Sequence, residues 1–275
     1  MRSLLIARAG WLALAVLLLA AAVAWWRVRP SNDRAWSPDN ERLSYAEFRG
    51  DSVTVRNVRH ARYRTADDYV VRWEDRVYDL RTVRTAWFAV EPFEAEWRGP
   101  AHTLVSFGFD DGRYLAASVE IRKERGESYS LLKGVLKHFE LVYVLADERD
   151  ALKLRTNIRR DSVYLYPIRA TRPQVRAMLE DVLRRANRLR EHPEFYHTVS
   201  NNCTSNLVQH VNRVAPRRVP WSPRTLLPGY SDALAHDLGL IDTDLPLDQA
   251  RERFRINERA LRHADDPDFS RLIRE

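Results

Sequence analysis

The chain contains one cysteine, Cys203, and it lies in the segment Asn201-Asn-Cys-Thr204, where a polar turn runs into an amphipathic helix. A thiol in the first turn of a helix lies near the positive end of the helix dipole and near backbone N–H groups without intrahelical acceptors. Both features favour the thiolate, which is the nucleophilic form of cysteine. The sequence therefore predicts a nucleophile, against the ordinary alternative that an unpaired cysteine fills apolar core space.

The residues after Cys203 predict a helix whose inner face packs on a sheet. Leu207 and Val211 follow Cys203 at helical spacing, and Pro216 ends the helix. Backbone N–H groups in the first turn would be available to an oxyanion. The flanking Asn202 and Thr204 are therefore candidate oxyanion or site-shaping residues.

His102 has the best context for a catalytic base among the eight histidines. It begins the apolar strand 102–107, and the next strand carries the carboxylate of Glu120. His210 shares a helix face with Cys203, but seven residues of helix separate the two by about 10 Å. His197 precedes the Asn-Asn turn in a flexible context, and the other histidines have no evident acidic partner.

The pairing of His102 with Glu120 depends on the turn at Asp110-Asp-Gly112. A three-residue loop with Gly112 in the left-handed conformation pairs residues whose numbers sum to 222, which sets His102 opposite Glu120. A two-residue loop of Asp111 and Gly112 would instead set Ile121 opposite His102 and turn Glu120 to the other face.

With Cys203 as nucleophile, His102 as base and Glu120 as the group that orients the base, the predicted reaction class is acyl transfer. No metal or cofactor is expected. The chain has one cysteine, no His-x-x-x-His pair and no glycine-rich phosphate loop among its nine glycines.

An uncharged apolar run at residues 11–26 follows Arg2 and Arg8 and approaches the roughly 20 residues that cross a bilayer. Small residues at 20–24 would permit cleavage as a signal peptide, whereas Trp25 and Trp26 favour a retained anchor. We expect a single pass through the inner membrane with the catalytic domain in the periplasm. The predicted organisation is an anchor or signal segment at 1–29, a linker at 30–43, the enzyme domain at 44–245 and a peripheral helical segment at 246–275.

The net charge of +7 does not indicate nucleic-acid binding, because basic residues are spread along the chain among 38 acidic ones. Attraction to anionic lipid headgroups or cell-wall polymers is the simpler interpretation. Alternating patterns predict strands near 53–59, 69–73, 77–80, 102–107, 113–122, 139–146 and 163–168, with a short helix at 147–157, a long helix after Thr171 and an extended loop at 219–230. This order indicates an α+β fold.

From about Arg42 to Ile241 the chain resembles the Lnb N-terminal periplasmic domain family. The resemblance rests on Tyr69-Val-Val-Arg-Trp73, His102-Thr-Leu-Val-Ser-Phe107, Ser118-Val-Glu-Ile-Arg122, residues 143–150, Asn201-Asn-Cys-Thr204 and Leu227-Pro-Gly-Tyr-Ser231, in that order. The Asn-Cys-Thr step and the order of histidine before cysteine also resemble circularly permuted papain-like enzymes of the NlpC/P60 and lecithin:retinol acyltransferase groups.

The resemblance implies a papain-like antiparallel sheet packed against helices and a thiol acyltransferase or hydrolase with Cys203 as nucleophile and His102 as base. The namesake enzymes move an acyl chain within a bacterial lipoprotein, but they carry further membrane helices that this sequence lacks after Trp26. A membrane lipid or lipoprotein ester is the expected substrate. Peptidoglycan amide cleavage and a non-catalytic envelope scaffold are the alternatives, and no nucleic-acid partner is expected.

Overall fold

A computed structural model describes residues 11, 14–19, 23, 25–94 and 99–275. Its centre is an eight-stranded sheet in the order β1-β2-β7-β6-β5-β4-β8, with β3 paired to the outer side of β2. Pairing is antiparallel except for a single parallel bridge between Arg59 of β2 and Ala146 of β7. The strands are β1 Tyr45–Arg49, β2 Ser52–Tyr63, β3 Tyr69–Asp79, β4 Val83–Pro92, β5 Ala101–Phe109, β6 Tyr114–Arg122, β7 Glu140–Ala146 and β8 Tyr164–Pro167.

Helices cover both faces of the sheet. They are α1 Leu131–Val135, α2 Glu148–Lys153, which continues as a π-helix over Leu154–Arg159, α3 Arg172–Glu191, α4 Cys203–Val214, α5 Pro223–Leu226, α6 Ser231–Asp237, α7 Leu247–Phe254, α8 Asn257–Arg262 and α9 Phe269–Leu272; short 3-10 turns occupy Pro38–Asn40 and Pro228–Tyr230. The predicted α+β class, with a mostly antiparallel sheet packed against helices, is confirmed.

Alternation along β5 divides the core into two layers, because successive side chains of a strand point to opposite faces. Val105 and Phe107 pack with the apolar sides of α3 and α4. Leu104, which directly precedes Val105, packs on the other face with α2 and the C-terminal helices. The C-terminal segment contributes buried Phe269 and Ile273 to that second layer.

The β5–β6 hairpin has the three-residue turn that the sequence favours. Gly112 adopts a φ of +78°, and its N–H donates to the carbonyl of Phe109, whose own N–H donates to the carbonyl of Arg113. The paired residues run from Gly108 opposite Tyr114 to Leu104 opposite Ser118. The predicted register, with residue numbers that sum to 222, is confirmed.

Two segments differ from the simplest reading of the sequence. Residues 30–43, taken as a linker, pack on β6, where Trp36 is buried beneath the Arg122 guanidinium at 4.1 Å and Arg122 Nε donates to the carbonyl of Asn40. Residues 219–230, expected to be an extended loop, contain α5 and a 3-10 turn. Helix α5 forms because the Ser222 hydroxyl caps the N–H of Arg224 and Pro223 has a backbone angle suited to the first helical position.

The predicted membrane segment lies largely outside the described residues, since only parts of the apolar run at 11–26 are described, and those parts are helical. No helix built from described residues meets the length and hydropathy of a bilayer span.

A buried ion pair ties β2 to α2. Arg59 and Asp150 are both almost completely buried and form a bidentate pair, with 2.9 Å from Nε to Oδ2 and 2.9 Å from Nη2 to Oδ1. Asp150 also accepts from the N–H of Ala61 and the hydroxyl of Tyr63. Four donors therefore compensate the desolvation of one carboxylate.

Replacing Asp150 by Asn removes the only negative charge in this bidentate pair and leaves the guanidinium of Arg59 buried. We expect Asp150→Asn to lower the free energy of unfolding by about 3 to 5 kcal/mol, because the buried guanidinium loses its bidentate partner and is left with the longer ionic contact with Asp39 at 4.0 Å. Urea denaturation measures the loss. Asp265→Asn is the matched control, since Asp265 pairs with Lys153 while fully solvated and should unfold like the wild type. Equal stabilities of the two variants would contradict the expectation.

Candidate active site

Cys203 is the first residue of α4, and the residues before it fix that helix start. Asn202 is the N-cap: its Oδ1 accepts from the N–H of Ser205 at 2.8 Å, and the Ser205 hydroxyl accepts from the N–H of Asn202 at 2.9 Å. This reciprocal pair satisfies two donors at the helix terminus. The Asn202 amide also donates to the carbonyl of Thr198 at 2.6 Å, which holds the preceding turn against the helix.

Both predicted neighbours of the thiol therefore have structural partners. The Asn202 side chain is occupied by the cap and the turn, so it shapes the helix start. The Thr204 hydroxyl lies 3.3 Å from that of Thr103 on β5 and 3.9 Å from Cys203 Sγ. Cys203 itself is 4% exposed and packs with Tyr196 and Leu207 in the first core layer.

His102 is joined to Glu120 through a serine that the sequence analysis did not single out. His102 Nε2 lies 2.7 Å from the Ser118 hydroxyl, which donates to Glu120 Oε1 at 2.7 Å, while the direct distance from Nε2 to Oε1 is 3.9 Å. The predicted register was enough to place Ser118 near His102. Ser118 and Glu120 are alternate residues of one strand and share the face on which His102 lies.

The hydrogen bonds of Ser118 determine the tautomer of His102. A hydroxyl has one proton, and an ionised carboxylate can only accept, so Ser118 donates its proton to the hydrogen bond with Glu120. Ser118 must then accept the bond from His102, which places the imidazole proton on Nε2. In the neutral ring Nδ1 carries the free lone pair and is the nitrogen able to take a proton.

A buried arginine controls the charge state of the hydrogen-bonded series of His102, Ser118 and Glu120. Arg155, in the π-helix, donates from Nη2 to Glu120 at 3.0 Å and from Nε to Glu91 of β4 at 2.7 Å. Although burial opposes ionisation, Arg155 and then Arg59 hold the pKa of Glu120 well below its usual range. Glu91 is more deeply buried, and burial outweighs the attraction of Arg155 and raises its pKa to about 7.

His102 is held in its neutral form. Burial is the main cause, and the positive charge of Arg155 adds to it, so that the pKa of His102 falls to about 3 despite the opposing influence of Glu120. The imidazole is therefore unprotonated at neutral pH. A neutral imidazole can accept a proton, and the ionised Glu120 beyond Ser118 would stabilise the imidazolium that results.

Cys203 and His102 line one cleft of about 350 Å³, together with Glu120, Arg155 and Tyr129. The cleft lies at the end of the β5–β6 hairpin away from its turn, where His102 is the second residue of β5 and Glu120 approaches the end of β6. Its mixture of a thiol, an imidazole, a carboxylate and a guanidinium is typical of a polar reaction site.

The two predicted reactive groups approach this cleft from different layers. Thr103 contacts Thr204, so α4 covers the face of β5 that carries the odd-numbered residues. His102 points to the opposite face, together with Leu104 and Ser118. No hydrogen bond joins Cys203 Sγ to the His102 ring in the described part of the chain. Both groups nevertheless line the same cleft.

The other histidine on the cysteine helix has a structural role. His210 Nε2 lies 2.7 Å from the Tyr143 hydroxyl of β7, and its Nδ1 lies 2.5 Å from Asp181 of α3. These contacts fasten α4 to the sheet and to the neighbouring helix. The Tyr143 hydroxyl also donates to Asn206, which lies next to the N-terminal turn of α4. His197 contacts the backbone and hydroxyl of Ser200 within an exposed turn.

Within the described residues, no three histidine, cysteine, aspartate or glutamate side chains form a group that could hold a metal ion. The model of the Lnb N-terminal periplasmic domain matches residues 69–229, which is more than half of the chain and includes Cys203, His102 and Glu120. The chain belongs to this family and is a periplasmic protein. No curated protein and no solved structure matches it.

The depressed pKa of His102 predicts a pH dependence of stability. Between the ordinary value of 6.5 and about 3 the unfolded chain binds a proton at this position that the folded chain does not, so the free energy of unfolding falls as pH falls. When the pH falls from about 7.5 to about 5, the free energy of unfolding of the wild type should decrease by about 2 kcal/mol more than that of His102→Gln. Urea unfolding of both proteins at the two pH values measures this, and parallel pH profiles would refute it.

Proposed function

We propose that this protein is a periplasmic, papain-like thiol enzyme that transfers an acyl group through an acyl-Cys203 intermediate. The expected donor is an ester of a membrane lipid or lipoprotein, and the acceptor is an amine or water. The observation that most supports the proposal is the shared cleft, which is lined by a thiol at a helix N-terminus and a neutral imidazole held by a serine and a carboxylate.

In the first half-reaction the proton of Cys203 moves to His102 Nδ1, and the sulfur attacks the ester carbonyl. Because the resting groups are not hydrogen-bonded, the proton passes after a side-chain rotation or through one water, for which the cleft has room. The tetrahedral oxyanion lies at the start of α4, where backbone N–H groups and the helix dipole stabilise negative charge. His102 then returns the proton to the leaving alcohol, which leaves a thioester on Cys203.

In the second half-reaction the same histidine serves the acceptor. An amine or water attacks the thioester carbonyl, gives its proton to His102 Nδ1, and the thiolate of Cys203 leaves and recovers that proton. Ser118 and Glu120 keep the Nε2 proton in place throughout, so Nδ1 stays available. Arg155 holds Glu120 ionised, which stabilises each transient imidazolium.

The cellular setting agrees with this chemistry. The family is periplasmic, and the chain offers Cys203 no second cysteine with which to form an internal disulfide. An apolar run at 11–26 would keep the domain beside the bilayer, where lipid and lipoprotein esters are concentrated.

A covalent adduct is the most direct test. Incubation of the full-length protein in detergent with a diacyl lipid or a lipoprotein-like ester should give a mass increase of one acyl chain on the peptide that contains Cys203. Cys203→Ser should lose the thioester, and His102→Ala should slow its formation by about 100-fold or more. His192→Ala is the matched control, because His192 is exposed and is not among the residues that line the cleft. Muropeptide cleavage without acylation would favour a peptidoglycan substrate, and full activity of Cys203→Ser would refute a thiol mechanism.

Ser118 is proposed as a positioning residue that acts through His102. Ser118→Ala should slow acyl transfer by about 10- to 100-fold and change the pH profile of Cys203 alkylation by iodoacetamide, because the imidazole proton is no longer held on Nε2. Ser118→Thr keeps the hydroxyl and should retain most of the rate. If Ser118→Ala and wild type show the same rate and the same alkylation profile, Ser118 has no role beyond packing.

A further inference from the structure

An exposed apolar patch lies beside the mouth of the cleft. Four leucine and valine side chains of α1 and its C-cap face solvent, as does a valine from the turn before Cys203. Leu132 is 69% exposed, a large fraction for a leucine of a folded domain. The members of the patch are Leu131, Leu132, Val135, Leu136 and Val199.

The patch is fixed to the turn that precedes the proposed nucleophile. The Thr198 hydroxyl donates to the carbonyl of Leu131 at 3.1 Å, and the Thr198 N–H donates to the carbonyl of Gly134. A Cβ at Gly134 would collide with the Thr198 hydroxyl, so the close approach requires glycine there. Helix α1 and the turn therefore form one unit.

Tyr129 connects this unit to the cleft. It lines the cleft with Cys203, and its side chain interacts with those of Tyr196 and Thr198. It is also 41% exposed, so one aromatic ring extends from the solvent beside the patch to the cavity of the thiol. A molecule held at the patch would therefore lie next to a residue that lines the cleft.

Two lysines bring positive charge to the patch. The chain has only four lysines, and two of them, Lys133 and Lys137, lie on or directly after α1. Neither takes part in an ion pair within the described residues. The Lys137 ammonium lies 4.9 Å above the ring of Trp25, the residue near the end of the apolar run at 11–26. The patch is therefore adjacent to the point where the apolar run enters the folded body.

We propose that the patch docks on the surface of the bilayer, with its leucines at the level of the acyl chains and Lys133 and Lys137 among anionic headgroups. Apolar side chains combined with lysines are the composition of interfacial membrane contacts, and tryptophan favours the same depth. The contact with Trp25 favours the bilayer over a protein partner, because the apolar run would enter the membrane beside the patch. If the proposed function holds, docking places the cleft at the headgroups, where ester bonds of lipids lie.

Fluorescence quenching by lipids tests docking without reference to catalysis. In full-length protein with Cys203→Ser, a bimane label at Leu132→Cys is reconstituted into phosphatidylethanolamine and phosphatidylglycerol vesicles that contain doxyl-labelled lipid. We expect quenching at least about threefold stronger than for the same label at Leu261→Cys, a leucine of α8 with 55% exposure. Equal quenching at the two positions would overturn the proposal.

A second variant separates docking from catalysis. Leu132→Asp combined with Leu136→Asp places two charges in the patch and should reduce acyl transfer from vesicle lipids by about tenfold or more, because charged side chains leave the apolar interface. Transfer from a short, water-soluble thioester should stay within about twofold of wild type. Loss of both activities would indicate damage to the cleft and would oppose the docking model. If no variant acts on any ester, the quenching result still decides whether the patch binds lipid.

Discussion

The guanidinium of Arg155 is the interaction on which the rest of the candidate site depends. It lies between Glu91 of β4 and Glu120 of β6, almost completely buried, and thereby joins the π-helix to two strands of the sheet. Arg155, together with the buried Arg59, favours ionisation of the less buried carboxylate, Glu120, whereas burial raises the pKa of Glu91. Ionised Glu120 then directs the proton of Ser118, and Ser118 directs the proton of His102. The tautomer of one imidazole is therefore set by a residue more than fifty positions later in the chain.

Local sequence patterns predicted the parts of this site that depend on local geometry. The turn at Gly112 fixes the register of β5 and β6, and the register brings His102 and Glu120 to one face. The polar turn before Cys203 likewise predicted a helix start with Asn202 as its cap. In each case a turn or cap residue has few backbone conformations available, so a short stretch of sequence is informative.

The remaining parts depend on pairing between distant segments. Arg155 and Glu91 carry no local signature that distinguishes them from other charged residues, and they meet only because the fold brings Arg155 of the π-helix beside Glu91 near the end of β4. Ser118 could have been predicted, since register and alternation place it beside His102. It was not singled out because a serine in a strand usually has no special role. The packing of residues 30–43 on β6 was also missed, because prolines and asparagines there suit a linker as well as a folded edge.

The candidate site is divided between two layers of the core, because α4 with Cys203 covers one face of β5 and His102 points to the other face. A thiolate paired directly with an imidazolium needs both charges to be stabilised inside the protein, and His102 is buried where its positive form is disfavoured. Cys203 lies in one layer and His102 in the other, and no hydrogen bond joins Cys203 Sγ to the His102 ring in the described part of the chain. A substrate that arrives from the side of Tyr129 would displace water from that space and narrow the gap through which the proton must pass. If the proposed function holds, the burial that keeps His102 neutral also makes proton transfer from Cys203 depend on occupation of the cleft.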